Sequence, residues 1–191
     1  LRAYFPNEDF FGVDVSEKML EFAGKKNVYK ELYFDDIESF LEDVADPYHA
    51  VIAGDVLTYM GELKTLFRLL VKAVKANGLF CFSISKNTYN QSDYFLTPSG
   101  RFVHSIAYVR RLLKYCGFEV IRQEEMTLRR EGNKEVDGYI VLAKKEIEDN
   151  EPIDIVSIVI KNATKSLGEI IGADVNQDIV NKIFEKFCLG K

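Results

Sequence analysis

The sequence predicts an α/β fold in which short buried strands alternate with amphipathic helices. Between residues 10 and 84, apolar runs of strand length alternate with stretches whose apolar residues recur at helical spacing. The 191 residues are enough for one domain of ordinary size plus an appendage. Hydrophobic residues make up 47% of the chain and charged residues 29%, which favours a soluble globular protein over a disordered or membrane-spanning one.

The first part of the chain predicts three strands, each followed by a helix. Ser16 stands where its hydroxyl can cap the first helix, and Glu17 places a negative charge in the first turn. Asn77 and Gly78 are predicted to end the third helix. The predicted strands are residues 10–15, 31–34 and 50–54, and the helices run from Ser16 to about residue 25, over 36–44 and over 63–75.

The second part predicts one more buried strand, a loop, a helix and an antiparallel hairpin. Pro98 and Gly100 lie in a polar and aromatic stretch that we interpret as a long loop and as a candidate lid over a site. The predicted elements are a strand over residues 79–84, the loop over 87–102, a helix over 105–116, and hairpin strands over 118–126 and 139–144 joined by a turn at 129–134.

The composition changes after the hairpin. Residues 146–152 form a charged linker with a proline, and the apolar residues of 155–171 and 177–187 recur at helical spacing. We therefore predict a domain over residues 1–145, a linker over 146–152, and a carboxyl-terminal helical hairpin over 153–191 that does not belong to the sheet.

Charge and cysteine content exclude several classes of function. The net charge of −5 lacks the positive field by which many nucleic-acid binders attract phosphate, although a local basic patch remains compatible with it. Cys81, Cys116 and Cys188 are odd in number and show no CxxC spacing, which argues against a disulfide framework and a structural zinc site. We expect a protein of the reducing cytoplasm, without a metal and without a membrane anchor.

Acidic residues follow each of the first three predicted strands. Asp14 ends the first strand, Asp35 and Asp36 follow the second, and Asp55 follows the third. Ligands of open α/β sheets bind beyond the carboxyl ends of the strands, and a carboxylate there can accept bonds from both ribose hydroxyls. The alternative is helix capping, for which acids are common at such turns.

Several motifs resemble those of class I S-adenosylmethionine-dependent methyltransferases, in the order in which that family has them. The stretch from Phe11 to Leu20 is similar to the family's second motif, and Asp36 stands where the family has its adenine-facing acid. Over residues 98–105 and 116–120 the chain looks most like methyltransferases found with tetratricopeptide repeats. The other matching stretches are residues 53–63 (AGDVLTYMGEL) and 76–83 (ANGLFCFS).

This resemblance implies a Rossmann-like methyltransferase sheet and S-adenosyl-L-methionine as cofactor. It implies that Asp14 binds the ribose hydroxyls, that Met19 packs on the adenine, that Asp36 lies near the adenine amine, and that Asp55 lies near the methionine end or the transfer site. The methyl acceptor is not implied.

The resemblance also predicts that the chain begins inside the fold. No residues before Phe11 match the first strand and the glycine-rich turn on which the family binds its cofactor. We therefore expect weak cofactor binding. The missing strand would lie between strands 10–15 and 50–54, so we expect either direct pairing of these two strands or exposed sheet edges that allow self-association.

His104 is the candidate base of the methyltransferase reading, since histidine titrates near neutral pH. The alternative is a surface or hydrogen-bonded histidine at a helix start. We expect Tyr108 to be a packing residue. Arg101 has two interpretations, a group that binds an acidic substrate and a solvated loop residue.

The tail resembles a different family, the tRNA-modification GTPase MnmE (TrmE). Residues 166–172 (SLGEIIG) and 178–191 (DIVNKIFEKFCLGK) are similar to the carboxyl terminus of that family. This resemblance implies that Cys188 takes part in wobble-uridine modification, and that tRNA and the protein MnmG are partners of the tail. The chain has no GxxxxGK[ST] loop, so it cannot hydrolyse GTP by that family's mechanism.

Overall fold

The computed structural model describes residues 6–89 and 91–146. These residues belong to two compact units, residues 6–45 and residues 46–146. The linker after Glu146 and the predicted helical hairpin over 153–191, with Cys188, lie outside the described residues. None of the described helices is long and apolar enough to cross a membrane.

The amino-terminal unit is a pair of parallel strands with a helix after each strand. The register places Phe11 opposite Glu31 and Asp14 opposite Phe34, so both strands end at the same edge. The predicted elements of this unit are confirmed, with helix ends one or two residues inside the predicted ones. They are β1 (Phe11–Asp14), α1 (Glu17–Gly24), β2 (Glu31–Phe34) and α2 (Ile37–Glu42).

Side chains start both helices of this unit as the sequence predicts. The backbone amide of Met19 donates to Ser16 Oγ at 3.3 Å, which satisfies one of the amides that a helix start leaves unpaired. Asp36 does the same for α2, where its carboxylate accepts from the amides of Glu38 and Ser39.

The second unit is a mixed four-stranded sheet in the order β3, β4, β8, β7, with a separate two-stranded sheet of β5 and β6. β3 and β4 are parallel, and β8 runs antiparallel to both of its neighbours. β1 belongs to the two-stranded sheet with β2, and β3 belongs to the four-stranded sheet. The elements are β3 (Tyr48–Ala53), α3 (Lys64–Ala73), β4 (Val74–Ser85), β5 (Tyr94–Leu96), β6 (Phe102–His104), α4 (Ile106–Tyr115), β7 (Phe118–Glu131) and β8 (Lys134–Lys145).

The end of α3 differs from the prediction. The helix stops at Ala73 rather than at residue 75, and β4 begins directly at Val74. Asn77 has φ 61°, and β4 shifts its register against β3 before Leu79. A Cβ on Gly78 would lie 2.7 Å from the carbonyl oxygen of Lys75, so Asn77 and Gly78 shape a bulge in the strand instead of a helix end.

The predicted loop over 87–102 contains a small hairpin, so its interpretation as plain loop is wrong. Tyr94 pairs with His104 and Leu96 pairs with Phe102 across β5 and β6. The turn between them is closed at Thr97, whose amide donates to Arg101 O at 2.9 Å and whose hydroxyl donates to the same oxygen at 2.8 Å. Short strands of three residues carry too little periodicity to be detected in sequence.

The antiparallel hairpin of β7 and β8 is confirmed, but its strands are longer than predicted. Pairing continues to Glu131 opposite Lys134, so the turn contains only Gly132 and Asn133 instead of residues 129–134. Gly132 has φ 60°, the left-handed conformation that such a tight turn requires.

The core of the second unit lies between the four-stranded sheet and the helices α3 and α4. Phe67 is fully buried, and its ring meets the rings of Phe80 and Phe82 edge-on at 5.7 Å. Val109 and Leu113 contribute the buried face of α4. This core fixes β3 and β4, whose carboxyl ends carry the polar residues described next.

Candidate functional site

Asp14 ends β1 and keeps one carboxylate oxygen available. Oδ1 accepts a hydrogen bond from the amide of Ser16 at 2.8 Å, while Oδ2 has no partner among the described residues. The residue is half-buried. An oriented carboxylate with a spare oxygen can accept from a ligand hydroxyl.

Met19 and Asp36 lie in the same unit as Asp14 but have different surroundings. Met19 lies on α1 and is half-buried. Asp36 is exposed, and its oxygens accept from the amides of Glu38 and Ser39 at 3.0 Å and from the Ser39 hydroxyl at 2.6 Å. The Ser39 hydroxyl is the largest cause that lowers the pKa of Asp36. The capping interpretation therefore accounts for every contact of the Asp36 carboxylate.

Asp55 belongs to the second unit and has a constrained backbone. Its φ is 55°, a left-handed conformation that residues with a Cβ rarely adopt. Its amide donates to Ser83 Oγ at 2.9 Å. Ser83 is buried near the end of β4, so this hydroxyl fixes the turn that follows β3.

Two arginines bind the Asp55 carboxylate. Arg129 Nη1 donates to Oδ1 at 2.7 Å, and Arg101 Nη1 donates to Oδ2 at 3.2 Å. Arg129 Nη1 also donates to the buried Ser85 Oγ at 3.1 Å. Glu131 accepts from Arg129 Nε at 2.9 Å and balances the second positive charge. We call Asp55, Arg101, Arg129 and Glu131 the ionic cluster.

Tyr59 lies beside this cluster. It follows Leu57 and Thr58 in a short 3₁₀ turn, and both of these residues are buried. The ring of Tyr59 is consequently turned outward and 62% exposed, with the Arg101 guanidinium 5.3 Å from its centroid.

His104 is buried completely at the end of β6. Its Nε2 lies 3.0 Å from the carbonyl oxygen of Gly61, so Nε2 carries the proton and Nδ1 is left without a partner among the described residues. Burial lowers the pKa of His104. A candidate base needs contact with its acceptor, and the geometry found here is that of a neutral hydrogen-bonded histidine. The catalytic role of His104 stays a prediction.

Tyr108, Cys81 and Cys116 have packing roles. The Tyr108 hydroxyl accepts from the amide of Leu63 at 3.0 Å inside the second unit. Burial raises the pKa of the Cys81 thiol to about 11 and also raises the pKa of Cys116. Both thiols are therefore protonated near neutral pH and unreactive.

Two of the four residues of the ionic cluster, Arg129 and Glu131, were not among the candidates that the sequence suggested. Ser83 and Ser85 gave a detectable signal, since they are polar positions in an otherwise apolar strand. Arg129 and Glu131 stand in a charged stretch that resembles any solvated turn, and only the long pairing of β7 with β8 brings them to Asp55. The alternative that Arg101 is a solvated loop residue is wrong, because its side chain is only 15% exposed.

The described part of the chain has the Rossmann-like methyltransferase fold. It is similar to an S-adenosylmethionine-dependent methyltransferase from Methanosarcina mazei, with TM-score 0.60, 12% identity, and coverage of 77% of this chain and 86% of the other. It is also similar to magnesium protoporphyrin IX methyltransferase from Synechocystis with bound S-adenosylmethionine, with TM-score 0.55, 20% identity, and coverage of 75% and 62%. At these identities the likeness establishes the fold alone.

The chain also has sequence relatives of another kind. It is 48% identical over 52 residues to the tRNA modification GTPase MnmE of Alkaliphilus oremlandii, which is 27% of this chain and 11% of that relative. A second MnmE, from Acetivibrio thermocellus, is 47% identical over 49 residues, again 11% of its length. The chain thus spans about a tenth of these relatives. No protein-family model matches the sequence.

Proposed function

We propose that this chain acts as an S-adenosylmethionine-dependent methyltransferase. The observation that carries the proposal is Asp14, which stands at the carboxyl end of β1 in a methyltransferase fold and keeps Oδ2 without a partner among the described residues. Carboxyl ends of strands are where open α/β sheets bind their ligands. The cofactor would supply an electrophilic methyl group.

The residues of the amino-terminal unit differ in how directly they can contact the adenosine part of this cofactor. Asp14 would accept from the ribose hydroxyls, and the half-buried Met19 would provide an apolar surface for the adenine. Asp36 would lie near the adenine amine, but α2 already uses both of its oxygens. We therefore assign ribose recognition to Asp14, and we assign to Asp36 an indirect role through the position of α2.

Titration calorimetry of the full chain tests this proposal. We expect S-adenosylmethionine and S-adenosylhomocysteine to bind with millimolar dissociation constants, equivalent to about −4 kcal/mol, and GTP not to bind. Asp14→Ala should abolish the heat of binding, because it removes the carboxylate that we assign to the ribose hydroxyls. GTP binding without adenosyl binding would contradict the proposal.

Asp9→Asn is the matched control for this experiment. Asp9 is an acid of the same unit whose carboxylate pairs with Lys30 on the surface. The substitution changes the net charge as Asp14→Ala does, so it should leave cofactor binding unchanged. Equal losses in the two variants would indicate a charge effect and not a ribose contact.

A second candidate function rests on the MnmE-like sequence match. We propose, as the alternative, that the tail over residues 153–191 takes part in tRNA wobble-uridine modification, with Cys188 as its reactive group and tRNA and MnmG as partners. The identity of 48% over 52 residues supports this alternative. The tail itself lies outside the described residues.

Thiol labelling with and without tRNA tests the alternative. At pH 8 we expect iodoacetamide to modify Cys188 well before Cys81, whose pKa burial raises to about 11. Added tRNA should slow the modification of Cys188 and leave that of Cys81 unchanged, so Cys81 is an internal control. Labelling of Cys188 that tRNA does not affect would contradict a tRNA-binding tail.

A further inference from the structure

In the ionic cluster, every side-chain nitrogen of Arg129 has a partner, whereas one nitrogen of Arg101 has none among the described residues. Arg129 directs Nε and Nη2 to Glu131 and Nη1 to Asp55 and Ser85. Arg101 directs Nη1 to Asp55 and holds Nε 3.5 Å from Glu131, while Nη2 has no partner among the described residues. Arg101 therefore keeps donors for a further group.

The backbone around Arg101 fixes its position. Arg101 closes the turn from Thr97, and its carbonyl oxygen accepts both the amide and the hydroxyl of that threonine. Gly100 directly before it has φ 78°, which lets the chain turn sharply at this point. A guanidinium on a constrained turn loses little conformational freedom when it binds a ligand.

The Arg101 guanidinium already holds a carboxylate. Asp55 Oδ2 lies 3.2 Å from Nη1, longer than the 2.7 Å between Asp55 Oδ1 and Arg129. This longer contact is the one at which a ligand carboxylate would exchange with Asp55. Asp55 would keep its shorter bond to Arg129 during such an exchange.

Tyr59 adds a flat apolar surface at the same place. Its ring is 62% exposed and lies against the Arg101 guanidinium. A planar ring can stack there while a carboxylate reaches the free donors of Arg101, since guanidinium groups bind carboxylates through paired N–H donors. All of these residues lie in one unit, beyond the carboxyl end of β3.

We propose that Arg101 and Tyr59 form a binding site for an aromatic carboxylate, and that the methyl acceptor belongs to this class. The acceptor assignment rests on the proposed methyltransferase function, whereas the carboxylate site itself does not. Arg129 is a positioning residue, because it holds Asp55 and leaves Arg101 to the ligand.

Nuclear magnetic resonance of the full chain tests the site without any cofactor. With arginine side chains and tyrosine rings labelled, benzoate is titrated and its neutral analogue benzamide is titrated in parallel. We expect benzoate to shift the Arg101 Nε–H and Tyr59 ring signals at millimolar concentrations, and benzamide to bind at least tenfold more weakly. Equal shifts with both probes, or none with either, would overturn the proposal.

Variants locate the site. Arg101→Gln should weaken benzoate binding about tenfold, and Arg101→Lys less, since lysine keeps the charge but not the planar fork. Arg111→Gln is the matched control, because Arg111 also pairs with an acid, Asp93, and lies over a tyrosine ring, that of Tyr108. It should not change binding, and an effect larger than that of Arg101→Gln would overturn the assignment.

A second variant separates this site from the proposed cofactor site. Asp14→Ala should leave benzoate binding unchanged, because Asp14 belongs to the other unit. If benzoate binds and S-adenosylmethionine does not, the carboxylate site stands and the methyltransferase function fails. If S-adenosylmethionine binds and benzoate does not, the reverse holds.

Discussion

The two units of the described chain differ in how much apolar surface they bury. In residues 6–45, Leu41 is the single buried side chain, while Val15 and Phe34 are more than 60% exposed. In residues 46–146, the side chains of Phe67, Phe80 and Phe82 are at most 1% exposed. The comparison shows that the same alternation of strands and helices produces a core only where enough strands pair side by side.

Sheet size explains the difference. β1 and β2 form a sheet of two strands, each four residues long, with one short helix after each strand. Two strands rarely bury enough apolar area to be stable alone. The sheet of β3, β4, β8 and β7 has twice as many strands, and α3 and α4 pack against one of its faces. We therefore expect the two units to differ in stability, and the following predictions test that difference.

The largest expected effect is the loss of a core ring from the second unit. Phe67→Ala should lower the free energy of unfolding by about 3–5 kcal/mol, because it removes a fully buried ring from between Phe80 and Phe82. Phe22→Ala on α1 should cost less than about 1 kcal/mol, since that ring is 47% exposed. Urea unfolding followed by circular dichroism measures both, and similar losses would contradict the comparison.

Two substitutions of glycine by alanine should change the free energy of unfolding in opposite directions. A Cβ on Gly138 would lie 2.2 Å from the carbonyl oxygen of Ile84, so Gly138→Ala should destabilise the second unit by about 1–3 kcal/mol. A Cβ on Gly24 meets nothing closer than Leu32 Cδ1 at 3.7 Å, so Gly24→Ala in α1 should stabilise the first unit by up to about 1 kcal/mol. Thermal melting followed residue by residue in amide spectra measures the stability of each unit. If Gly24→Ala lowers the stability of the first unit, the helix propensity of residue 24 does not determine the stability of α1.

The smallest expected effect is a pH dependence that differs between the units. Burial lowers the pKa of His104 in the folded protein. Below about pH 6.5 this histidine is therefore protonated in the unfolded chain but still neutral in the folded one. The second unit should lose stability as the pH falls through that range. The pKa of Asp36 is lowered by the hydrogen bonds that cap α2, so the first unit should lose stability only as the pH falls through the ordinary value of 3.8 and below.

Single substitutions assign these two pH ranges. His104→Gln should remove the loss below about pH 6.5 from the second unit and leave the acid transition of the first unit in place. Asp36→Asn keeps a capping oxygen without the charge and should remove the pH dependence of the first unit alone. Melting temperatures between pH 3 and pH 8 check this, and a loss that persists in His104→Gln would show that another group titrates.

The sequence by itself determined the local elements where periodicity and capping were unambiguous. Ser16 and Asp36 start helices because a side-chain oxygen beside free amides needs no partner from elsewhere in the fold. The same local reasoning failed at Asn77 and Gly78, where pairing with β3 draws the backbone into a strand, and in residues 94–104, where three-residue strands form only because they pair with each other.

The tertiary structure alone decided which of the acids at the strand ends have partners for both carboxylate oxygens. The residues alone give no reason to distinguish Asp14, Asp36 and Asp55, because each stands at or just after the end of a predicted strand. The structure leaves one oxygen of Asp14 open, uses Asp36 as a cap, and encloses Asp55 between Arg101 and Arg129. Arg129 is 74 residues from Asp55 along the chain, and only the antiparallel pairing of β7 with β8 brings their charges within 2.7 Å. A local pattern records the neighbours of a residue along the chain, whereas its charge partners are set by strands that pair at long range.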